Sequence, residues 1–355
     1  MKKLLILLVV ILLVGCNSNE NKMPIEKNET SEEIKEEIKK LTIEDYQNNK
    51  VNELGEVPIM MYHGIQYKNN NDTKYIGGNV DKDGYQRTSE AFITDLEFYY
   101  NEGYRMIRLT DYVDGNIDVE LGKSPIIITF DDGLSNNIKV LGLDEKGDII
   151  IDPNSAVGIL ESFKDKYPDY NVTATFFVNS GLFGQPEYNE KILNWLVDNG
   201  YDIGNHTYTH VDFTKVNSNK SQEEVGKIYE KLESIIPNKY VNIIALPFGS
   251  PYKLSHENMD YIFTSNYNEK IYITKSALRV GWKSESSPFS IDFNPKFLKR
   301  IRAYDNNGKD FDIEMNFKLL NNNRYISDGD INTIVIPSDM ENKLNNTFNK
   351  EIKIY

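Results

Sequence analysis

The chain has 355 residues, 39% of them hydrophobic and 12% aromatic, so it can build one large domain or two small ones around a sizeable core. Its formal net charge at pH 7 is −14. Because phosphate binding requires a basic surface, this excess of acidic side chains argues against a nucleic acid partner.

The first fifteen residues are predicted to be a signal peptide. Lys2 and Lys3 precede an uncharged apolar run over residues 4–14, which is too short for a comfortable transmembrane helix. The run ends in "LVGC", which contains Cys16, the only cysteine, and resembles a bacterial lipobox. The resemblance implies cleavage before Cys16, lipid attachment there, and anchoring to the outer face of the cytoplasmic membrane. A buried thiol in an uncleaved anchor is the alternative.

Residues 16–56 are predicted to form a charged, flexible tether. The stretches "NSNENK" and "SEEIKEEIKK" are polar and charged, as in segments that remain solvated. A short surface helix is the alternative, since Ile34, Ile38 and Leu41 recur at helical spacing.

From residue 57 to about residue 310, apolar runs of strand length alternate with helical patterns, which is typical of an α/β fold. Strands are predicted, in chain order, at "VPIMMY", "YRMIRL", "SPIIITF", "ATFFVN", "YDIGN", "VNIIAL" and "ALRVGW". Helices are predicted after an N-cap at Ser89, over 157–167, around 192–197 and over 222–236. The stretch "LGLDEKGDIIIDP" is predicted to be an inserted hairpin, and residues 311–355 a small C-terminal β extension.

Side chains of catalytic type follow four of the predicted strands. His63 follows the first, and Asp131-Asp132-Gly133 follows "SPIIITF". His206 and His210 follow "YDIGN", and Pro247-Phe248-Gly249 follows "VNIIAL". Barrels of alternating strands and helices gather catalytic groups at the C-terminal strand ends, so this pattern indicates an enzyme.

Two histidines and one carboxylate make a three-ligand set for Zn²⁺ that leaves a position open for water. His206 and His210 in "HTYTH" are half of the four histidines in the chain. Because strand side chains alternate, one of Asp131 and Asp132 can bind a metal while the other faces a substrate. The alternatives are an ordinary Asp-Asp-Gly turn and a histidine pair on a helix surface.

The motifs "TFDDG", "HTYTH" and "LPFG" resemble those of the polysaccharide deacetylase family (carbohydrate esterase family 4). The resemblance implies a distorted (β/α) barrel of seven or eight strands and a divalent metal, best Zn²⁺, with Co²⁺, Ni²⁺ or Mn²⁺ as alternatives. It also implies removal of N-acetyl groups from N-acetylglucosamine-containing cell-wall or extracellular polysaccharide, by a protein expected to be monomeric. Asp132, His206 and His210 are then the metal ligands, Asp131 is the general base, and the Phe248 N–H stabilises the oxyanion.

Two positions depart from the family pattern. Ala245 replaces an arginine before the "LPFG" proline, and no histidine follows His256 to serve as the late general acid. "MYH" resembles the circularly permuted poly-N-acetylglucosamine deacetylase branch, which implies that His63 is the acid. Nearby carboxylates are expected to favour its imidazolium form.

Arg279, Arg300 and Arg302 are candidates to replace the missing arginine, with ordinary surface charge as an equal explanation for each. Trp282 is a candidate floor for the acetyl methyl or a sugar face, with core packing as its alternative. The candidate oxyanion- and substrate-binding residues are Pro247, Phe248, Gly249, Arg279, Trp282 and Arg302. Two other functions stay open, an O-acetyl esterase acting on a glycan and a catalytically silent carbohydrate-binding lipoprotein, the latter motivated by the missing arginine.

Overall fold

The computed structural model describes residues 41–355, which form one compact unit. The predicted signal peptide, Cys16 and residues 16–40 of the predicted tether lie outside the described residues. Within residues 41–355, no helix combines the length and the apolar character needed to cross a membrane.

The α-helices of the described residues are α1 (Ile43–Asn49), α2 (Ser89–Asn101), α3 (Leu109–Asp114), α4 (Ala156–Lys166), α5 (Asn189–Asp198), α6 (Ser218–Ile235), α7 (Asn258–Phe263) and α8 (Ile313–Leu320). The strands are β1 (Glu56–Val57), β2 (Ile59–Tyr62), β3 (Gly64–Gln66), β4 (Gln86–Thr88), β5 (Tyr104–Met106), β6 (Ser124–Phe130), β7 (Val140–Leu143), β8 (Ile149–Ile151), β9 (Thr175–Val178), β10 (Asp202–Asn205), β11 (Ile243–Ala245), β12 (Thr264–Tyr267), β13 (Lys270–Ile273), β14 (Ser276–Leu278), β15 (Glu285–Ser286), β16 (Ile301–Arg302), β17 (Thr333–Ile336) and β18 (Glu351–Ile354).

A parallel sheet that curls into a half-barrel is the centre of the fold. Its strand order is β14-β11-β10-β9-β6-β2-β16, and β5 pairs with the first half of β6. All seven residues of β6 are buried, as expected for a strand covered on both faces. The predicted α/β fold with a distorted barrel is therefore confirmed, and the hairpin β7–β8 lies where the insertion was predicted.

Alternation along β6 separates two apolar layers. Ile126, Ile128 and Phe130 pack in the layer that also contains residues of α2, α4, α5 and α6. Ile127 packs instead with Ile59, Phe177, Ala245 and Leu278 from the neighbouring strands, in the concave interior of the sheet. Because side chains alternate, Thr129 and then Asp131 follow Ile127 on the interior side. The strand thus places Asp131 at the end of a row of side chains that face the interior of the sheet.

Helix starts differ from the predictions by one residue or by one turn. Thr88, not Ser89, is the N-cap of α2, since its extended backbone lets its hydroxyl accept a hydrogen bond from the Ala91 N–H. Helix α6 begins one turn earlier than predicted, because Asn217 caps it by accepting from the Lys220 N–H. In both cases a second capping residue lay close in sequence to the predicted start.

The predicted tether is wrong for residues 41–56, which are part of the folded unit. Thr42 and Asp45 form a capping box at the start of α1. Val51 and Leu54 are buried, and Asn52 bridges to Ile326. The few apolar residues here have no regular period, so their burial depends on contacts with residues far along the chain.

The C-terminal residues 311–355 do contain the predicted strands, since β17 and β18 pair in parallel. They also contain α8, which was not predicted and whose N-cap is Asp312. Both parts pack against the layers on the two faces of the sheet. Phe317 lies in the layer that contains residues of α2, and Ile334 and Ile336 lie in the layer that contains Ile127.

Glu53 joins the N-terminal segment to this C-terminal region from a buried position. Its carboxyl oxygens accept hydrogen bonds from the Tyr325 hydroxyl at 2.7 Å and from the Val335 N–H at 2.8 Å. Burial, reinforced by the neighbouring Asp328, raises the pKa of Glu53 to about 8, and these hydrogen bonds oppose the rise only in part. Between pH 4.5 and about pH 8, Glu53 is therefore protonated in the folded protein and ionised in the unfolded chain.

We expect this proton to make stability depend on pH. A carboxyl whose pKa is raised by folding gives full stability below its unfolded value, about 4.5, and loses it as the pH rises through about 8. Relative to Glu53→Gln, the wild-type free energy of unfolding should fall by about 2–3 kcal/mol between pH 5.5 and pH 7.5, measured by chemical denaturation. Glu145→Gln, at an exposed hairpin position, is the control. Equal pH slopes for wild type and Glu53→Gln would contradict the assignment.

Candidate active site

The C-terminal ends of β2, β6, β9 and β10 lie at the same edge of the sheet. Tyr62 of β2 pairs with Phe130 of β6, and the Asp131 N–H donates to the Tyr62 carbonyl at 3.0 Å. The His206 N–H donates to the carbonyl of Val178, the last residue of β9, at 2.9 Å. His63, Asp131 and His206 therefore follow these strands directly at one edge.

Asp132, His206 and His210 converge at this edge. One carboxylate oxygen of Asp132 lies 3.2 Å from Nε2 of His206 and 3.4 Å from Nε2 of His210. One potential ligand atom from each residue lies within 4.8 Å of the others. This is the only such group of three or more His, Cys, Asp or Glu residues in the described part of the chain.

The surroundings of His206 fit a metal ligand. Its Nδ1 lies 2.9 Å from the Ala245 carbonyl oxygen, which can only accept, so we assign the ring hydrogen to Nδ1. With that assignment the buried Nε2 presents a lone pair toward the Asp132 oxygen, 3.2 Å away. A nitrogen lone pair that faces a carboxylate oxygen is stabilised when a cation lies between the two atoms. In zinc-ligating histidines, a carbonyl typically orients the other ring nitrogen, as the Ala245 carbonyl does here.

A loop, not a helix, brings the two histidines together. Thr207 and His210 both have left-handed backbones, with φ of 61° and 56°. Asn205 accepts from the Thr207 N–H, and buried Glu224 accepts from both the N–H and the hydroxyl of Thr209. These bonds stabilise a conformation that is strained for residues with side chains, as is common at functional sites.

Asp131 forms a buried ion pair with Arg300. The two terminal guanidinium nitrogens donate to the two carboxylate oxygens, each at 2.7 Å, and one also lies 3.2 Å from the Thr129 hydroxyl. Burial alone would raise the pKa of Asp131, but Arg300 and, less strongly, His206 hold it below its usual range. Asp131 is therefore an ionised carboxylate in a fixed orientation.

Arg300 reaches Asp131 because its segment spans the gap between the two edges of the sheet. Leu298 hydrogen-bonds to Ala277 and Arg279 beside β14, and Ile301–Arg302 pairs with β2. The Arg300 Nε donates to the Arg279 carbonyl at 2.8 Å. Gly281 makes this closure sterically feasible, because a Cβ there would lie 1.6 Å from the Arg300 carbonyl oxygen.

His63 lies beside these groups. The Asn137 side-chain amide donates to its carbonyl at 2.6 Å, and its ring packs edge-on against Tyr85 with centroids 4.8 Å apart. Nearby carboxylates were expected to favour the imidazolium form of His63. Burial has the larger effect and lowers the pKa of His63, although Asp131 and Asp132 act in the opposite direction.

The "LPFG" turn borders the histidine pair. Phe248 has a left-handed backbone with φ of 58°, its ring centroid lies 4.7 Å from that of His210, and 55% of its surface is exposed. Pro247 and Gly249 belong to the same 3₁₀ turn. The predicted residues of this turn therefore lie at the candidate site, with Phe248 at its open side.

The other predicted substrate-binding residues contact different partners. The Arg279 guanidinium lies over the ring of Trp282 at 5.1 Å and over that of Phe297 at 4.3 Å, so Trp282 is a half-exposed stacking partner. The Arg302 guanidinium lies over the rings of Tyr304 and Tyr85. Of the three candidate arginines, Arg300 is the one whose guanidinium hydrogen-bonds to Asp131. Cys16 lies outside the described residues.

Four supporting residues were not found from the sequence. Three of them lie in stretches with no motif. Asn137 and Tyr85 contact His63, and Glu224 holds the loop between His206 and His210. Thr129 had a signal, because it is a polar residue inside the apolar run of β6. Its hydroxyl donates to the Met60 carbonyl at 2.7 Å and lies beside Arg300.

Residues 118–262 match the model of the polysaccharide deacetylase family. This range contains Asp131, Asp132, His206 and His210, and confirms the family resemblance for that part of the chain. His63 and Arg300 lie outside it. A peptidoglycan-N-acetylglucosamine deacetylase from Bacillus cereus is 35% identical over 71 residues, which are 20% of this chain. That match spans 25% of the relative's own length.

Two solved structures extend the comparison. The deacetylase PplD from Streptococcus pyogenes, determined in complex with acetate, has a TM-score of 0.51 at 17% identity, covering 74% of this chain and 98% of that one. This likeness shows a shared fold. A de-N-acetylase from Aggregatibacter actinomycetemcomitans has a TM-score of 0.43 at 11% identity, covering 69% of this chain and 93% of that one, and is too distant to support an argument.

Removing the Arg300 side chain should destabilise the protein strongly. Arg300→Met leaves the buried Asp131 carboxylate without its counter-charge, which should cost about 3–5 kcal/mol in the free energy of unfolding. Adding Asp131→Asn should recover much of the loss, since the unpaired charge is then gone. Arg302→Met is the control, and should cost about 1 kcal/mol or less because it removes only ring contacts. Additive effects of Arg300→Met and Asp131→Asn would contradict the ion pair.

Proposed function

We propose that the protein is a metal-dependent hydrolase that removes N-acetyl groups from N-acetylglucosamine-containing cell-wall or extracellular polysaccharide and releases acetate. The observation that carries this proposal is the ionised Asp131, fixed by Arg300, beside the convergent Asp132, His206 and His210. The family match over residues 118–262 supports the reaction class. The similarity to a Bacillus cereus protein named as a peptidoglycan-N-acetylglucosamine deacetylase supports the substrate class.

Asp132, His206 and His210 would hold a divalent ion, for which Zn²⁺ suits two imidazoles and one carboxylate best. When bound, the ion supplies Lewis-acid activation of the acetamide carbonyl and of the attacking water. The Ala245 carbonyl keeps the hydrogen of His206 on Nδ1, which leaves Nε2 free to bind.

Asp131 acts as the general base in this proposal. Arg300 keeps its carboxylate ionised, and each oxygen that accepts from the guanidinium retains a second lone pair that can accept the proton of water. The bidentate geometry fixes the direction of those lone pairs. The base is thereby oriented before the substrate binds, which reduces the entropic cost of the attack.

His63 acts as the general acid. An amide nitrogen leaves only when protonated, because an amide anion is a very poor leaving group, so a proton must reach it as the carbon–nitrogen bond breaks. The lowered pKa of His63 makes its protonated form a stronger acid toward that nitrogen, and it also reduces the protonated fraction as the pH rises toward neutrality. The Asn137 bond to its carbonyl and the Tyr85 ring hold it at the site.

The oxyanion would be stabilised by the backbone N–H of Phe248. This residue lies in a tight turn beside His210, and the following N–H groups of Gly249 and Ser250 already donate to Leu246 and Pro247. A preorganised N–H of this kind stabilises negative charge as it develops. Phe248 has a left-handed backbone, a strained conformation of the kind found at functional sites.

The permuted arrangement is the finer form of the proposal. Strand β2, which precedes His63, lies between β6 and β16 in the sheet, although it is the first of these strands in the chain. The candidate acid and base therefore follow neighbouring parallel strands. This adjacency supports a catalytic site in which the N-terminal histidine replaces the late histidine that the chain lacks.

Acetate release from defined N-acetylglucosamine oligomers and from peptidoglycan tests the proposal. The wild type should release acetate, and a chelator should abolish the activity, with recovery on adding Zn²⁺. Asp131→Asn and His63→Ala should each lower kcat by about 10²- to 10⁴-fold, because each removes a proton-transfer group. Both variants should retain bound metal, measured by elemental analysis. Because Asp131→Asn leaves the buried Arg300 guanidinium without its counter-charge, circular dichroism must show that this variant is folded before its activity is compared.

His256→Ala is the matched control, since this histidine lies apart from the candidate site in the loop before α7, and it should retain full activity. Near-wild-type activity of Asp131→Asn with metal bound would overturn the base assignment. Release from an O-acetylated glycan but not from N-acetylated oligomers would identify an esterase. Glycan binding without turnover would identify a silent binding protein, although the Arg300–Asp131 pair removes the reason for expecting one.

We also propose that the protein is exported and held on the outer face of the cytoplasmic membrane by lipid on Cys16. The support is the lysine pair, the short apolar run and "LVGC". A diacylated anchor would bind the membrane stably, unlike a single acyl chain. Cys16→Ser should move the protein from the membrane fraction to the medium or the soluble fraction, measured by immunoblotting. Unchanged fractionation and the absence of lipid by mass spectrometry would contradict the anchor.

A further inference from the structure

His63 stands between two short strands that belong to different sheets. Strand β2 ends at Tyr62 and pairs with β6 and β16 of the half-barrel, whereas β3 begins at Gly64 and pairs in parallel with β4. One position before the first β3–β4 pair, the rings of His63 and Tyr85 meet at 4.8 Å between centroids. The position of the candidate acid therefore depends on how β2 and β4 are held relative to each other.

Tyr62 connects β2 to helix α2. Its ring is buried in the layer that contains residues of α2, edge-on to the ring of Phe92 at 5.0 Å. Its hydroxyl donates to the Asp95 carboxylate at 2.9 Å and lies 3.0 Å from the Tyr99 hydroxyl. Phe92, Asp95 and Tyr99 all belong to α2. The residue directly before His63 is thus held by directional bonds as well as by apolar packing.

Arg87 connects β4 to the same carboxylate. Its guanidinium donates to the other oxygen of Asp95 at 2.8 Å, and both side chains are almost fully buried. It also donates to the side chains of Asp305, at 3.1 Å, and Asn79, at 3.3 Å. Asp95 therefore joins the strand that precedes His63 to the strand that pairs with the one after it.

The Arg87–Asp95 pair is an unusual choice for this layer. On α2, Asp95 is next to side chains of the apolar layer, among them Phe92 and Leu96. Burying two charges often gives no more stability than apolar side chains of the same size. What the pair adds is direction, because hydrogen bonds to a charged carboxylate fix both the distance and the orientation of their donors. Apolar side chains could fill the space but would let β2 and β4 shift relative to each other.

We infer that Asp95, Arg87 and Tyr62, together called the positioning network, hold the His63 ring where the leaving nitrogen must be protonated. This inference rests on the proposed function and deepens it, because it assigns the orientation of the candidate acid to three named residues. Proton transfer depends steeply on the alignment of donor and acceptor, so a small shift of β4 against β2 changes the reaction more than it changes the fold. The Asn137 bond holds the His63 backbone, and the positioning network holds the strands around it.

Comparing an amide with an activated ester separates positioning of the acid from loss of structure. An amine leaves only when protonated, whereas 4-nitrophenolate leaves without a proton, so only deacetylation of N-acetylglucosamine oligomers requires His63. Tyr62→Phe removes one hydroxyl and should lower kcat for the oligomers about tenfold, with KM unchanged, as expected for a misplaced catalytic group. Chelator-sensitive hydrolysis of 4-nitrophenyl acetate by this variant should stay close to the wild-type rate.

Tyr170→Phe is the matched control. This buried tyrosine lies in the same layer, and its hydroxyl donates to the Leu96 carbonyl of α2 at 3.0 Å. The variant loses a similar bond but none to Asp95, so its ratio of amide to ester turnover should equal that of the wild type. Asp95→Asn should have a ratio between those of Tyr62→Phe and His63→Ala, with circular dichroism showing whether it is folded.

The NMR signal of the His63 ring tests the same inference without turnover. The chain has four histidines, so their ring signals can be distinguished, and His63→Ala identifies that of His63. Tyr62→Phe should move or broaden this signal, both with and without added Zn²⁺. Tyr170→Phe should leave it unchanged.

The outcomes separate the positioning network from the reaction. Acetate release by the wild type, with equal amide-to-ester ratios in wild type and Tyr62→Phe, would overturn the inference and leave the proposed function standing. Equal losses of amide and ester turnover in Tyr62→Phe would also overturn it, in favour of a purely structural role. A changed His63 signal in Tyr62→Phe, with no acetate release by the wild type, would support the positioning of His63 and overturn the proposed function. An unchanged signal together with no acetate release would overturn both.

Discussion

The buried pair between Arg300 and Asp131 is the interaction on which the candidate site depends. It is bidentate, has almost no contact with solvent, and joins the central strand β6 to the segment that spans the gap between β14 and β2. Such a pair is expensive to bury and cannot lose one partner without leaving an unpaired charge. The closure of the half-barrel and the ionisation of the candidate base are therefore one structural feature, since displacing the Arg300 segment would also change the base.

The other groups of the site are held by residues from several elements around it. Asn137 holds the His63 backbone, Ala245 orients His206 through its carbonyl, and Glu224 holds the loop between the histidines. Left-handed backbones at Asp132, Thr207, His210 and Phe248 cluster here, although each costs conformational energy. Their concentration at one edge indicates that the surrounding fold is stable enough to maintain several strained residues for the geometry they provide.

Much of the fold could be predicted, because its signals are local. The apolar runs of β6 and β9 and the amphipathic patterns of α4, α5 and α6 are set by residues close in sequence. The two-residue strand β16 and helix α8 were not predicted, since their pairing and burial depend on distant partners. The same reason explains why the folded structure of residues 41–56 was not predicted. Val51 and Leu54 become part of the core only because the C-terminal region packs on them.

The residues of the candidate site likewise differ in whether a local signal in the sequence marks them. The three convergent residues and Asp131 follow motifs, so their chemistry is visible in sequence, whereas the arginine that fixes Asp131 has no motif of its own. Arg279, Arg300 and Arg302 could not be ranked, because the choice depends on which side chain enters the interior where the sheet closes.

Ala245 shows why the arginine can move along the chain. In the family pattern an arginine stands at this position, at the end of β11, whereas here the side chain is a fully buried methyl in the interior layer with Ile59, Ile127 and Leu278. Arg300 supplies a guanidinium to Asp131 from the segment that joins the opposite edges of the sheet. A second arginine at Ala245 would bring another buried cation toward a carboxylate whose two oxygens are already paired. The proposed chemistry requires a fixed positive charge at the candidate base, and a curled sheet can provide it from more than one segment of the chain.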